Sequence, residues 1–560
     1  MPQLGTMARS GSIKTSQSTH VARSAGVVSI AIFMSRITGL VREMVMAQKF
    51  GAGLAYDAFL LGFRIPNLAR DLFAEGALSS AFVPSFAAYL ASGDRKEAAR
   101  LSNLVGTAVI VLVGLFCVVG IIFSPQLVWL LAPGYTQVPG KFELAVRMTR
   151  IMFPFLLLVA LAAQAMGMLN AFDKFGVPAM ASTFFNFGSV CFGLLLGFWL
   201  GPYLHITPIE GMAYGVVLGG MLQLLWQLPS LHKLGFHFNF DLNWRHPGLQ
   251  QIFRLMLPAI VGNAAVQINV MVNTNFASRL SDPIRGADGP VSWLAYAFRF
   301  VELPLGLSGV AFASAILPSV ARSVATSNYE EFRKTLSHSL SMVFLLTIPA
   351  SVGLIVLGAP IVGVVYQGGK FQLYDTEQTA VALSAYAVGL VGYAAAKVLN
   401  PAFYALSDAK TPMYVSLLSI VVNFVLAQVL LSVFHLGMIG LAVSTSAVAL
   451  VASLLLFYQL RLKLGGIEGR YLADRVSRIL AASLAMAVVI LVSNHYMTIW
   501  AGRNRAGYLL NLAVSLPLGL GTFLMASRRL GNDDIRVALD AFGAPVWRRV
   551  AGVRARILDK

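Results

Sequence analysis

Residues 291–319 read VSWLAYAFRFVELPLGLSGVAFASAILPS, an apolar run of 29 residues in which Arg299 and Glu302 are the sole charged side chains. A run of this length can cross about 30 Å of hydrocarbon as a helix. It predicts a membrane span, and the two charges are its anomaly. Ionisable groups at membrane depth cost at least about 2.5 to 3.5 kcal/mol each, so they face a protein interior or a wet cavity. Three residues apart, Arg299 and Glu302 share one helix face and can partly neutralise each other.

Outward from this run, apolar segments of similar length recur from residues 25–48 to residues 507–527, fourteen in all. Of the 560 residues 57% are hydrophobic and 12% charged, with a mean hydropathy of +0.73. Soluble proteins carry about a quarter charged residues, so a soluble enzyme is excluded. The fold class expected is an all-α polytopic membrane protein. Its second span, 55–90, is too long for a straight crossing, and Pro66, Gly76 and Pro84 predict a kink.

A net charge of +18 would point to nucleic acid in a soluble protein. Here the basic residues sit in short loops and the tail, which reads as orientation and contact with anionic lipids, with no nucleic-acid partner. About 26 of the 42 lysines and arginines fall in the termini and alternate loops, against about 7 in the opposite loops. Both termini are therefore expected in the cytoplasm, residues 1–24 as an arm and 529–560 as a basic tail.

Two halves repeat. Phe63-Arg64 followed by AFVPSFA at 81–87 parallels Phe298-Arg299 followed by AILPSVA at 315–321. GKFEL at 140–144 and LNAF at 169–172 parallel GKFQL at 369–373 and LNPAF at 399–403. An offset of about six spans matches span 2 to span 8 and span 4 to span 10 in the same orientation. Two parallel six-helix lobes around a central cavity follow, 25–235 (spans 1–6) and 236–465 (spans 7–12), with spans 13 and 14 in 466–528 as an appendage.

Charges concentrate in a few spans. Span 1 carries Arg36, Arg42 and Glu43; span 2 carries Asp57, Arg64, Arg70, Asp71 and Glu75; span 10 carries Lys397. Arg36 and Arg42 lie about 9 Å apart along a helix, enough to hold a row of oxygens. Guanidinium forks favour bidentate phosphate contacts, so spans 1, 2 and 8 point to an anionic, pyrophosphate-bearing substrate. Asp71 and Glu75 are open to either a gating or a ligand role, Arg64 and Arg70 to substrate contact or headgroup anchoring, and Lys397 to substrate contact or carbonyl capping. Arg36, Arg42 and Arg299 are favoured for substrate contact, because three buried cations without matching acids need an anion from elsewhere.

Asn263, Gln267, Asn269 and Asn273 in span 7 read more simply as interhelical hydrogen bonds. No HExxH, Walker loop or GxSxG occurs, and His232, His237 and His246 are irregularly spaced, so no catalytic residue, metal or cofactor is assigned. Cys117 and Cys191 read as packing residues. Transport without ATP must draw on the membrane potential, an ion gradient or the substrate's own gradient.

The segments SRITGLVREMVMAQKFGAGLAYDAF at 35–59, FRIPNLARDLFAEGALSSAFVP at 63–84 and the opening run resemble the MurJ (MviN) family of lipid II flippases, in the multidrug/oligosaccharidyl-lipid/polysaccharide exporter superfamily. The resemblance covers residues 25–528. It implies transfer of the undecaprenyl-pyrophosphate-linked peptidoglycan precursor, lipid II, across the bacterial inner membrane by alternating access, with a groove at spans 13 and 14 for the polyprenyl tail. Carried over by motif position, the residues it marks for substrate binding or gating are Ser35, Arg36, Arg42, Asp57, Arg64, Arg70, Glu75, Ser292, Arg299 and Glu302. Phe298 stands where some relatives have Asp, and Arg64 where some have Lys. Cell-wall synthesis proteins are further implied partners. The alternative within the superfamily is export of another polyprenyl-linked saccharide or of drugs.

Overall fold

A hydrocarbon solvent leaves a backbone no water to bond, so helices that satisfy their own amides are the expected answer. The computed structural model describes residues 28, 30–72, 78–326, 328–532 and 535, and among them there is no β-strand. The expected arm at 1–24 and the tail beyond 535 lie outside these residues. The chain divides into two compact units, Met1–Arg279 and Leu280–Lys560.

In the first unit the helices are α1 (30–50), α2 (Leu54–Arg70), α3 (Ser79–Ala91), α4 (Arg95–Ile122), α5 (Ser124–Leu131) and α6 (Lys141–Met152). They continue as α7 (Phe155–Ala171), α8 (Gly176–Leu194), α9 (Gly201–Leu204), α10 (Pro208–Leu225), α11 (Leu228–Lys233) and α12 (Pro247–Ser278). The second unit holds α13 (Pro290–Ala325), α14 (Tyr329–Val356), α15 (Gly358–Tyr366) and α16 (Leu373–Ala405). It ends with α17 (Lys410–Ser432), α18 (Gly437–Lys463), α19 (Gly469–Ala501) and α20 (Arg505–Arg529).

Ten described helical segments are long and apolar enough to cross a membrane. Four further segments, α1, α2 with α3, α12 and α13, carry most of the intramembrane ionisable and amide residues read from the sequence. Within the long second span the described helices are α2, to Arg70, and α3, from Ser79, with helical backbone continuing through Asp71 and present again at Leu78. Pro66 and Pro84 lie inside these helices, while Gly76 falls outside the described residues.

The compact division falls at residue 279, so α12 belongs with the first unit. The linker after α11 explains why, since it is strapped along α4. Arg95 donates to the Leu234 carbonyl, Asn239 N–H reaches Asn103 Oδ1 at 3.2 Å and Asp241 N–H reaches Thr107 Oγ1 at 3.1 Å. His246 closes the strap with Nε2 3.2 Å from Glu97 Oε2, while its Nδ1 accepts the Gly248 N–H and so caps α12. Thus α12 is delivered to the first unit, where it packs on α3 and α5.

Loops that the alternation puts on one side meet one another. In the first unit Arg95 touches Leu234 at one end, and Asn275 Nδ2 donates to the Leu130 carbonyl at the other. In the second, Lys463 bonds Asp408 at one end, and Arg503 pairs with Glu377 at the other.

Without a hydrophobic drive between helices in lipid, small residues set close approach. Helices α8 and α10 show it most clearly. A Cβ at Gly215 would lie 2.6 Å from Gly193 Cα of α8, and one at Gly211 2.2 Å from Cα of Gly197, in the helical turn that follows α8. Larger side chains there would push backbones apart. Gly215→Val is therefore expected to abolish recovery of monodisperse protein, whereas Gly114→Val, with no atom within 4 Å, should be tolerated; size-exclusion profiles in detergent check this.

Asp408, in the loop between α16 and α17, is partly stripped of water, which raises its carboxyl. Lys463, the Thr411 hydroxyl and the Thr411 N–H more than offset this and hold it at about 2, below the ordinary 3.8. A depressed value stabilises the fold above the unfolded pKa and loses that effect as pH falls through the folded one. Because Lys463 is 43% exposed, solvent screening leaves on the order of 1 kcal/mol. Asp408→Asn is expected to lower the melting temperature by a few degrees near pH 7, with the gap to wild type closing between about pH 4 and pH 2.

Candidate functional site

Helix α1 carries Arg36 and Arg42, and its neighbours treat the two differently. Arg42 Nη2 lies 3.0 Å from Glu43 Oε1, and Tyr56 donates to Glu43 Oε2 at 2.9 Å. The Arg42 guanidinium also sits 5.8 Å from the Phe63 ring and 5.5 Å from the Phe185 ring, within cation–π reach. It is matched in charge and boxed by aromatics. This corrects the premise that Arg36, Arg42 and Arg299 lack matching acids. Adjacent residues on a helix do not face each other, so spacing gave no sign of the Arg42–Glu43 pair; Tyr56, thirteen residues on, holds Glu43 in place.

Arg36 is half-buried and makes no hydrogen bond or ion pair among the described residues. Around it α1 is fixed by backbone contacts, for Asn186 of α8 donates to the Ser35 carbonyl at 3.1 Å, as does Thr38. Ser35 therefore serves the helix junction through its main chain.

The charges of α2 are spread along about 20 Å of helix axis rather than gathered at one point. Asp57 is wholly enclosed and bonds Lys141 Nζ at 2.7 Å, both side chains 0% exposed. Tyr135 donates to the Asp57 carbonyl at 3.2 Å and lies under the Lys141 ammonium. Arg64 donates to Thr274 Oγ1 of α12 at 2.7 Å. Arg70 pairs with Asp71 at 2.9 Å. Glu75, and the side chain of Asn263, lie outside the described residues.

In the second unit Ser292 is fully buried, while Arg299 and Glu302 pair at 2.9 Å on an exposed face, 46% and 45% accessible. Lys397 is exposed and lies 3.5 Å from the Leu305 carbonyl, the capping role left open above. The neighbouring Trp293 Nε1 donates to Asp375 at 3.0 Å, and Arg285 pairs with the same carboxylate at 3.1 Å. This junction answers Asp57–Lys141 in the other half of the repeat with the charge order inverted, since here the acid stands beside the GKFQL segment rather than on the earlier helix.

An apolar cavity of about 400 Å³ lies between α19 and α20, lined by Val488, Val492, Tyr496, Val514 and Leu518 among others. Ser493, which also lines it, joins Ser515, Asn511 and Asn494 in a hydrogen-bonded chain, Asn511 to Asn494 at 2.8 Å and Ser515 to Asn511 at 2.8 Å. His232 and His237 have ring centroids 4.4 Å apart, but no group of three metal-capable side chains converges among the described residues.

Sequence reasoning missed Lys141, Tyr56, Phe185 and Thr274. Lys141 stood in the GKFEL repeat marker, but nothing in its spacing named Asp57. Removing one member of a buried pair strands the other charge at a cost of about 3 to 5 kcal/mol. Lys141→Met is expected to lower thermal stability strongly, and Asp57→Leu combined with it to recover much of the loss; melting curves of the purified single and double variants test this.

The chain matches the family model described as "Lipid II flippase MurJ" over residues 46–505. It is 35% identical over 541 residues to the probable lipid II flippase MurJ of Vibrio cholerae, covering 93% of this chain and 99% of that one. It is also 35% identical over 446 residues to the lipid II flippase MurJ of Burkholderia cenocepacia, covering 79% and 84%. A solved lipid II flippase MurJ in an inward closed conformation superposes with a TM-score of 0.74 at 26% identity, covering 91% and 99%. An inward-facing MATE multidrug transporter, 17% identical with a TM-score of 0.64 over 79% and 98%, shares the fold alone. A full-length match of this kind, on a multi-pass helical scaffold, identifies the chain as a member of the lipid II flippase MurJ family.

Proposed function

We propose that this chain is a transporter, not an enzyme, and carries lipid II from the cytoplasmic to the periplasmic leaflet of the bacterial inner membrane by alternating access. The observation that carries the reading is Arg36. It is a half-buried cation on an apolar helix with no partner among the described residues, while Arg42, Arg70, Arg299 and Lys141 each have an acid. A cation so placed is stabilised when an anion arrives, and a guanidinium suits a pyrophosphate. The relatives' names specify which pyrophosphate lipid it is.

The cavity between α19 and α20 supports an apolar path for the polyprenyl chain. All fourteen helical segments cross the membrane in this reading, with both termini cytoplasmic and the basic loops and tail against anionic lipid. Residues 25–235 and 236–465 act as the two lobes. Energy comes from the membrane potential or an ion gradient, and cell-wall synthesis proteins are the partners downstream.

Cells depleted of this protein should retain total lipid II but lose the fraction cleaved by a toxin added from outside. Wild type should restore cleavage, Arg36→Ala should restore little of it at equal membrane levels, and Arg36→Lys should restore an intermediate amount. Full restoration by Arg36→Ala would remove Arg36 from the substrate path. Unchanged cleavage on depletion would move the assignment to another polyprenyl-linked saccharide or to drug export.

A further inference from the structure

Phe298 on α13 belongs to an aromatic cluster. Its ring meets Tyr386 of α16 at 5.3 Å and 74°, and Tyr393 at 6.3 Å and 81°, two edge-to-face contacts. Tyr386 is buried, whereas Phe298 and Tyr393 are half-open. The Tyr393 hydroxyl makes no hydrogen bond among the described residues. Immediately along the same seam come charges. Glu302 is four residues after Phe298 on α13 and Lys397 four after Tyr393 on α16, each about 6 Å along its axis. Arg299 and Glu302 are nearly half exposed, and Lys397 is exposed too. Hydrocarbon does not tolerate three exposed ionisable side chains, so this face of the second unit borders water.

An aromatic shelf one helical turn from a charged group has a particular complement. A pyranose presents a face of C–H bonds, weakly positive at hydrogen, which suits the negative face of an aromatic ring, while its hydroxyls suit a tyrosine O–H. A phosphate on the anomeric carbon would then reach about one turn along, towards Arg299 and Lys397. A purely lipidic ligand would have no use for the charges, and a bare pyrophosphate none for the rings.

We propose that Phe298 and Tyr393, backed by Tyr386, form a saccharide subsite that stacks the pyranose next to the pyrophosphate of the transported lipid. The subsite rests on the lipid II reading and adds the head-group recognition that reading leaves open.

Equilibrium binding to the purified full-length protein in detergent, with lipid II and with sugar-free undecaprenyl pyrophosphate as the two probes, separates the claims. Wild type should bind both, lipid II more tightly. Tyr393→Ala and Phe298→Ala should each weaken lipid II about tenfold, the scale of one lost aromatic contact, and leave undecaprenyl pyrophosphate unchanged. Binding of the sugar-free probe reports that each variant is folded, and Tyr393→Phe, which keeps the ring, should retain most of the preference. Equal losses for both probes, or none for either, would overturn the subsite while leaving lipid transport standing. Failure of wild type to bind either probe would overturn both readings.

Discussion

Charge in a low-dielectric solvent must be matched, and the structure is organised by that requirement. Asp57 and Lys141 show its strict form, two ions with no exposed surface held 2.7 Å apart and supported by Tyr135. The pair ties the start of α2 to the start of α6. Its counterpart, Asp375 with Arg285 and Trp293, ties the lead-in of α13 to the start of α16. Neither pair would be tolerated half-made, because a stranded ion in such a place costs several kcal/mol. Each unit therefore has an electrostatic rivet at the corresponding junction.

Against that background a cation with no acid partner among the described residues is informative. Arg42 is neutralised by Glu43 and wedged between Phe63 and Phe185, so it is fixed before any ligand arrives. Arg36, on the same helix, has no hydrogen-bond or ion-pair partner among the described residues. The contrast divides one helix into a preorganised position and a receptive one. Preorganised groups lose less freedom on binding, which favours this division of labour.

The helical membrane scaffold was legible in the sequence because hydropathy over twenty residues depends on local composition alone. Candidate residues in α1, α2 and α13 were legible for the same reason, since a charge inside an apolar run is visible without coordinates. Pairing was not. Asp57 and Lys141 are 84 residues apart and Arg64 and Thr274 are 210 apart, and such partners are chosen by tertiary packing. The repeat announced that two halves would correspond, but not that the charge order at their shared junction would be inverted.

The central claim is that Arg36 receives the substrate's negative charge, and the affinity of the purified protein for lipid II, measured in low and high salt, tests it most directly. Losing one charge-assisted contact should weaken binding of Arg36→Ala by about tenfold or more and flatten its salt dependence relative to wild type. Equal affinity and equal salt dependence in the two proteins would contradict the account and return Arg36 to a purely structural place in α1.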